Sequence, residues 1–339
     1  MKTWEKIPEQ IRTQCSQIEY SMTFTEDRIQ KIKTRIMPLL ENSNQNKKFA
    51  LVFAGSLGRK EAHETSDVDA FILFQNKVHK KEQSITKELL SSLKSIIKIN
   101  DIKLRMASAG AFSNVCAFGD LVHNIGGKKE TNDILTRRMV LLVEGQGICN
   151  GDFFDNSKRE ILMKYLRDLQ PISDRRPIFL INDLLRYYRT ICVDYEYKKN
   201  EAGKPWAVRL TKLRHSRKMF YLSALLPLLE SMNVEPTQRI KWVQEQFIQC
   251  TPLERIILLL HKYGKEQHWE LLIYYNEFLK FMASKERRQK LDKISFDKRD
   301  KNTEYVLMRD NARKFRSIFL NFIFSVKHWQ EPINKYVIC

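Results

Sequence analysis

The segment Phe53–Phe74 constrains the fold of this chain more than any other part of its sequence. An apolar run ends at Gly55 and Ser56, a polar stretch follows, and a second apolar run begins after Asp69. This order predicts a strand, a tight turn with a short polar helix, and a second strand. Because side chains alternate between the two faces of a strand, Asp67 and Asp69 should project from the same face of the second strand.

Two carboxylates on one face of a strand repel each other, and burying them is costly without a counter-ion. A hard divalent cation such as Mg²⁺ suits such a pair. The Gly-Ser turn at the start of a helix would direct backbone N–H groups and a helix dipole towards a phosphate. A metal site beside a phosphate site is typical of phosphoryl or nucleotidyl transfer. The alternative, a surface turn followed by solvated acids, is disfavoured because the acids begin a strongly apolar run.

This arrangement resembles the signature of the DNA polymerase β-type nucleotidyltransferase superfamily over about residues 45–75. The residues that carry the resemblance are Gly55, Ser56, Arg59, Ser66, Asp67 and Asp69. The resemblance implies a nucleotidyltransferase. We expect a bacterial, template-independent member of the kind that anti-phage defence systems use.

The resemblance also implies a role for each of the main residues. Asp67 and Asp69 would hold two Mg²⁺ ions, with Mn²⁺ able to substitute. Gly55, which has no Cβ, would let the backbone approach the nucleotide phosphates closely. Ser56 would donate a hydrogen bond to a phosphate, and Arg59 would neutralise phosphate charge.

Members of the superfamily use a third carboxylate, which binds the catalytic metal and helps to deprotonate the attacking hydroxyl. Glu144 is the first candidate, because it ends an apolar run before a Gly turn in a stretch similar to one of uridylyltransferase-like members. An ordinary position at the C-terminus of a helix explains Glu144 equally well. Asp101 and Asp120 are the other candidates, and Asp101 precedes a predicted strand, the commoner position in the superfamily.

The helical half of the chain contains a second group of charged residues. On a helix, Arg209 and Lys212 are neighbours three residues apart, and Arg214 and Lys218 are neighbours four residues apart. Members of the superfamily often hold the triphosphate with a cation from the helical half, and Lys212, with Arg209, is the candidate here. The alternative is an amphipathic helix whose basic face lies in water.

The pattern of apolar residues predicts an α+β chain with two domains. A small mixed-sheet nucleotidyltransferase domain with an N-terminal helix would cover residues 1–150, and a mostly α-helical domain that binds nucleotide or acceptor would cover residues 151–339. The predicted helices are 8–42, 80–99, 131–143, 157–169, 177–198, 206–232, 236–249, 252–264, 268–284 and 305–329. The charged stretch 284–302 is either a solvated connector, which we favour, or a nucleic-acid contact.

The charge of the chain indicates its class of partner. With 59 Lys and Arg against 40 Asp and Glu in 339 residues, the net charge is +19, which favours nucleotides or nucleic acid. A solubilising surface is the alternative. The six cysteines match neither a zinc site nor a disulfide framework. Because no signal peptide or membrane-spanning apolar run is evident, we expect a soluble, cytoplasmic protein that does not insert into membranes.

The expected function is Mg²⁺-dependent transfer of a nucleoside monophosphate from an NTP, such as ATP, or a dNTP to a hydroxyl. The positive charge favours template-independent synthesis of an oligonucleotide or short DNA, which could act as a defence signal. The first alternative is nucleotidylation of a protein side chain, as in uridylyltransferase-like or antitoxin-like members. The second is a non-catalytic nucleotide or nucleic-acid sensor.

Overall fold

A computed structural model describes residues 3–41, 49–107, 115–167 and 176–338. The chain divides into two compact units. The sheet unit consists of Ser21–Arg176 and Pro236–Thr251, and the helical unit consists of Met1–Tyr20, Pro177–Glu235 and Pro252–Cys339. The predicted α+β class, a small mixed sheet followed by a mostly helical region, is confirmed.

The described residues form α-helices and β-strands, each numbered in chain order. The helices are α1 Glu9–Arg12, α2 Ser16–Glu41, α3 Gly55–Gly58, α4 Lys80–Ile96, α5 Phe118–Val122, α6 Asn132–Val143, α7 Gly151–Arg167, α8 Ile178–Asn200, α9 Ala207–Arg214, α10 Ser216–Ser231, α11 Pro236–Gln249, α12 Pro252–Tyr263, α13 Glu270–Ala283, α14 Lys285–Asp292, α15 Thr303–Ser325 and α16 Lys327–Ile333. The strands are β1 Phe49–Ala54, β2 Asp67–Phe74, β3 Arg105–Met106, β4 Val115–Ala117 and β5 Gln146–Gly147.

The sheet is mixed, as predicted, and β1 and β2 form its centre. The strand order is β3-β2-β1-β5, and β4 also pairs with β2. Strands β1 and β2 are antiparallel, with Phe49 opposite Phe74 and Ala54 opposite Asp69. Strands β3 and β4 run parallel to β2, whereas β5 is antiparallel to β1. The β1–β2 register therefore brings the Gly-Ser turn beside the paired aspartates.

The core of the sheet unit explains why β1 is buried along its whole length. Every residue of β1 is buried, so this strand is an uninterrupted apolar run rather than an alternating one. The helices α2 and α4 contribute buried side chains such as Ile32, Ile36 and Leu93 to the same core as Phe53 and Ile72. Burial of each such side chain contributes about 1.5–3 kcal/mol, so the strand that carries the turn is firmly held.

The structure differs from the predicted elements at several places: α5 and α16 are not among the predicted helices, and α7 begins at Gly151 rather than at residue 157. The predicted helix 8–42 is interrupted between Arg12 and Ser16, and the predicted helix 206–232 is interrupted at His215. The charged stretch 284–302, for which no helix is predicted, contains α14 and a short 3-10 turn at Phe296–Lys301, and its role as a connector or a nucleic-acid contact stays a prediction. In the described parts of the chain, no helix has both the length and the apolar character that crossing a membrane requires.

Candidate functional site

Asp67 and Asp69 lie at the start of β2 and project from the same face of the strand. Val68, between them, is completely buried and belongs to the core of the sheet unit. Asp67 is exposed and Asp69 is half-buried. The predicted placement of the two carboxylates side by side therefore corresponds to what the structure shows, and both are close to solvent.

Gly55 lies against the carboxylate of Asp69. Its φ is +63°, in the left-handed region that favours glycine. A Cβ on Gly55 would lie 2.2 Å from Oδ2 of Asp69, closer than any real contact. Two independent constraints thus require glycine here, and the absence of a side chain lets the turn approach the aspartate.

Ser56 follows on the single helical turn α3. Its backbone carbonyl accepts a hydrogen bond from the amide of Glu61 (2.8 Å), and the amide of Arg59 donates to the carbonyl of Gly55 (3.1 Å). The side chain of Ser56 is half-buried, and its hydroxyl has no hydrogen-bond partner among the described residues. This hydroxyl is therefore available to a ligand beside Asp69.

A buried ion network supports the turn from behind. Nε of Arg59 donates to Oε2 of Glu61 at 2.7 Å, and its NH1 forms an ion pair with Oε2 of Glu144. The other oxygen of Glu144, Oε1, accepts a hydrogen bond from the amide of Gly55 at 3.2 Å. Arg59, Glu61 and Glu144 are 7%, 3% and 4% exposed. The network joins the Gly-Ser turn to the end of α6, which lies far away in sequence.

This network bears on two of the sequence predictions. The sequence predicts that Arg59 neutralises phosphate, and the structure places its guanidinium between two carboxylates. Glu144 is the predicted third metal carboxylate, and both of its oxygens have protein partners, Arg59 and the Gly55 amide. The metal role of Glu144 stays a prediction.

Sequence reasoning missed Gly58 and Glu61. A Cβ on Gly58 would lie 2.2 Å from the carbonyl oxygen of Glu144 and 2.9 Å from that of Phe53, so this position also needs glycine. Glu61 is the second carboxylate of the Arg59 network. The spacing of Gly55 and Gly58 and of Arg59 and Glu61 is visible in the sequence, but the partner across the fold, Glu144, is not.

The loop between α3 and β2 is fixed by its own polar contacts. Ser66, which contributed to the resemblance, accepts a hydrogen bond from the amide of His63 through Oγ (3.0 Å). The amide of Ala62 donates to Oγ1 of Thr25 on α2 (3.0 Å), and Nζ of Lys60 pairs with Glu26 (2.7 Å). Because this loop is held at both ends, the start of β2 has a defined position relative to the turn.

The other two candidate carboxylates lie elsewhere in the sheet unit. Asp101 precedes β3 and pairs with NH2 of Arg35 at 2.8 Å, and this hydrogen bond, together with the charge of Arg35, lowers the pKa of the exposed Asp101 carboxyl. Asp120 is exposed on α5, which follows β4; since β4 pairs with the C-terminal half of β2, Asp120 lies beyond the end opposite to Asp67. Among the residues that the structure describes, no cluster of three potential metal ligands is present.

A cation rather than a carboxylate faces Asp67 from the neighbouring strand. Arg105 on β3 is the register partner of Asp67 on β2. Its NH2 lies 3.6 Å from Oδ1 of Asp67, and both side chains are more than half exposed. An exposed pair of this kind contributes at most about 1 kcal/mol, so a ligand can displace it readily.

Arg209 and Lys212, the predicted triphosphate residues, are exposed on α9 in the helical unit. Their charges act on Asp292 at the end of α14: burial raises the pKa of this carboxyl, while Arg209 and Lys212 oppose the increase. The structure thus groups these two cations with a carboxylate of the helical unit.

The comparison with known families supports the general activity that the site predicts. Residues 3–99 match the family model described as "Putative nucleotidyltransferase DUF294". This part of the chain is similar to a nucleotidyltransferase domain. The matched range contains the Gly-Ser turn and both aspartates, whereas Glu144 and the cations of α9 lie outside it. No curated protein matches the chain.

Proposed function

We propose that the sheet unit catalyses Mg²⁺-dependent nucleotidyl transfer from a nucleoside triphosphate to a hydroxyl, as a member of the DNA polymerase β-type superfamily. The observation that carries this proposal is the contact between Gly55 and Asp69, with Asp67 on the same face of β2. A backbone turn without a side chain beside two accessible carboxylates can hold phosphate oxygens and a cation together. The family match over residues 3–99 supports the same reaction class.

The donor set suits Mg²⁺. This ion prefers carboxylate oxygens and is usually held by one or two carboxylates together with substrate phosphates, so Asp67 and Asp69 would be sufficient protein ligands. When bound, Mg²⁺ supplies charge neutralisation at the triphosphate and lowers the pKa of a coordinated hydroxyl. Mn²⁺ has the same preference for oxygen ligands and would substitute.

The residues of this chain then have distinct tasks. Ser56 would bind a phosphate oxygen through its unpaired hydroxyl, and Gly55 would keep the space between turn and carboxylate open. Asp67 and Asp69 would hold the cation. Glu144 would hold the turn through the Gly55 amide, and its role as a third metal carboxylate is the alternative. Arg59 would balance the charge of this buried glutamate and hold it in place.

The net charge of the chain is the basis for our proposal of an acceptor and a product. The excess of cations, +19, favours a polyanionic product or acceptor, and we propose template-independent synthesis of an oligonucleotide or short DNA, which could act as a defence signal. Nucleotidylation of a protein side chain and a non-catalytic sensor are the alternatives. Steep salt dependence of nucleic-acid affinity is expected from the first proposal and not from protein modification.

The experiment incubates the protein with each labelled NTP and dNTP and Mg²⁺. A ladder of products supports polymerisation, and label on a single protein band supports protein modification. Asp67→Asn with Asp69→Asn should abolish turnover. Because the variant removes repulsion between neighbouring carboxylates, its stability should not fall.

The matched control is Asp133→Asn, which removes an exposed carboxylate from α6 in the same unit. This variant should retain full turnover. Turnover by the double variant at the wild-type rate would refute the assignment of the site. If the wild-type protein turned over none of the nucleotides with either Mg²⁺ or Mn²⁺, the proposed enzymatic activity would be refuted. The non-catalytic sensor would then be the remaining hypothesis.

A further inference from the structure

Three cations from three helices meet in the helical unit, where the α9–α10 junction packs on α15. His215, at this junction, is completely buried, and its Nε2 lies 2.8 Å from Oδ1 of Asn311 on α15. The ring of His215 also lies 5.6 Å from that of Phe315. Arg214 precedes His215 and Arg316 follows Phe315, so this packing brings the two arginines to the same region.

Lys218, one turn after Arg214 on α10, completes the group. We call Arg214, Lys218 and Arg316 the cation cluster. Burial and the charges of Arg316 and Arg214 lower the pKa of Lys218. In the part of the chain that the structure describes, none of the three has a hydrogen bond or ion pair with a carboxylate. The cluster is therefore a concentration of positive charge that no carboxylate of the described residues pairs with.

Several other cations of the same unit have acidic partners. Arg186 pairs with Asp183, Arg313 pairs with Asp310 at 3.2 Å, and Arg287 pairs with Glu304 at 2.8 Å. Arg209 and Lys212, the predicted triphosphate residues, act electrostatically on Asp292. An excess of lysine and arginine in the sequence does not by itself explain a half-buried lysine that lies near two arginines.

A pair of aromatic rings borders the cation cluster. Tyr188 on α8 and Tyr221 on α10 are stacked, with centroids 4.5 Å apart and planes at 18°. Tyr221 follows Lys218 by three residues on the same helix, so the two side chains are neighbours. Cys192, one turn after Tyr188, also acts electrostatically on Lys218. Lys218 and the two tyrosines are all half-buried, so the stacked rings form one side of the surroundings of the cluster.

We infer that Arg214, Lys218 and Arg316 form an anion site that binds phosphate groups of a ligand. Like charges held together destabilise the fold, and a phosphate with several acceptor oxygens would relieve that repulsion and satisfy the donors of all three side chains. Arginine binds phosphate oxygens in a bidentate manner, and lysine adds a point charge. A polyphosphate and a nucleic-acid strand share this chemistry.

This inference is independent of nucleotidyl transfer, because it needs neither Asp67 nor Asp69. Its test therefore measures binding in EDTA, without turnover. Fluorescence anisotropy follows a short labelled single-stranded oligonucleotide, and isothermal titration calorimetry follows inorganic tripolyphosphate. The variants are Lys218→Gln, Lys218→Met, which keeps the apolar packing of the side-chain stem, and Arg316→Gln. Circular dichroism and the melting temperature establish that each is folded.

We expect each substitution to weaken phosphate binding by about tenfold, as expected for a charge-assisted hydrogen bond. For the oligonucleotide, the slope of log K against log salt should also fall by about one. If the variants bind only tripolyphosphate more weakly, the ligand of the site is of the nucleotide type. If they bind only the oligonucleotide more weakly, the ligand is a nucleic-acid strand. Either result supports the anion site.

The control is Arg313→Gln. It removes one positive charge from α15, only three residues before Arg316, but from an arginine that has an acidic partner. Its affinity for both probes should stay within about twofold of the wild type, since the carboxylate of Asp310 already compensates the charge of Arg313. Equal losses in Arg313→Gln and the cluster variants would mean that net charge alone governs binding. That result, or unchanged binding by folded Lys218→Met, would overturn the inference.

Discussion

The amide of Gly55 donates a hydrogen bond to Oε1 of Glu144 across 3.2 Å, although 89 residues separate the two in sequence. The glutamate side chain is 2% exposed, and its other oxygen pairs with Arg59. One carboxylate therefore links the turn that lies against Asp69 to the end of α6. The position of the turn depends on a charge that is balanced inside the protein.

Removal of Glu144 should destabilise the sheet unit. Glu144→Ala leaves the buried Arg59 with one carboxylate in place of two, and breaking a buried ion pair of this kind costs about 3 kcal/mol. Glu144→Gln should cost less, because the amide oxygen can still accept from Gly55. Urea unfolding followed by fluorescence measures both differences.

Combining a substitution of Arg59 with one of Glu144 tests directly whether the two side chains stabilise the fold through each other. Arg59→Met combined with Glu144→Leu removes both charges of this ion pair, although Glu61 also loses Arg59, so the double variant should lose less stability than the sum of the losses in the two single variants. A purely additive cycle would argue against the network. Turnover adds a further test: a Glu144→Gln variant of normal stability without activity would favour the metal role instead.

Gly55→Ala should eliminate nucleotidyl transfer. The added methyl would lie 2.2 Å from Oδ2 of Asp69, so the aspartate or the turn must move, and the left-handed φ of +63° adds about 1 kcal/mol of strain. Labelled-nucleotide turnover and the melting temperature measure the two effects.

Gly126→Ala separates strain from contact. Gly126 lies in the same unit with a φ of +73°, and a Cβ there would meet nothing within 4 Å. This variant should lose about 1 kcal/mol of stability and keep its activity. If both alanine variants retain turnover, the close approach to Asp69 has no catalytic importance.

The sequence predicted the parts of the site that depend on local pattern. The strand, turn and second strand around Gly55 and Asp69 follow from short-range periodicity, and the structure has them at the predicted place. Strands β4 and β5 have three and two residues, too few for any periodicity, and exist only because β2 and β1 lie beside them. The partner of Arg59 was equally invisible, since Glu144 reaches it through the fold.

The order of the helices along the chain also does not predict which of the two compact units each helix belongs to. The sequence predicts a helical domain that begins at residue 151, whereas α7 and α11, which follow that residue, lie in the sheet unit. Nζ of Lys158 on α7 donates to the carbonyl of Gly145 (2.9 Å) and to that of Phe247 on α11 (3.2 Å). A buried lysine that joins three segments by backbone carbonyls has no signature in a hydrophobic pattern. The break between α9 and α10 at His215 also has no signature in the hydrophobic pattern, because the apolar periodicity continues across it.

Glu230 should stabilise the helical unit through four donors. Burial alone raises the pKa of this carboxyl, but hydrogen bonds from its neighbours outweigh burial, so that the pKa is lowered. The donors are Lys262, Tyr263, His328 and Trp329. Glu230→Gln keeps the shape and removes the charge, and should cost about 2 kcal/mol, the range for hydrogen bonds to a charged group.

The comparison for Glu230 is Glu235→Gln, an exposed glutamate in the same unit, which should change stability by less than about 0.5 kcal/mol. Since the folded pKa of Glu230 is lowered, its contribution is present above the unfolded pKa and is lost as the pH falls through the folded value. The wild type and Glu230→Gln should therefore converge in stability in acid. A constant difference at every pH would contradict the charge-based explanation.

His215 should make the helical unit sensitive to mild acid. Burial lowers the pKa of His215 to about 4, against the opposing effect of hydrogen bonds with Thr211 and Asn311. Its ring is stacked on Phe278 with centroids 4.6 Å apart, so protonation would place a charge among packed aromatic rings. Unfolding therefore releases a histidine that binds a proton more readily, with a pKa of about 6.5.

The direction of the pH dependence of stability follows from this difference between the folded and the unfolded pKa of His215. Between about pH 6.5 and about pH 4 the unfolded chain binds more protons, so the contribution of His215 is complete above this window and falls by about 3 kcal/mol as the pH is lowered through it. Urea midpoints at about pH 7 and about pH 5 measure the loss. His261→Gln, at an exposed position, should keep the wild-type dependence, whereas a folded His215→Gln should show a smaller one. An NMR titration of His215 with a pKa above about 6 would contradict the prediction, because a histidine that titrates normally contributes no such slope.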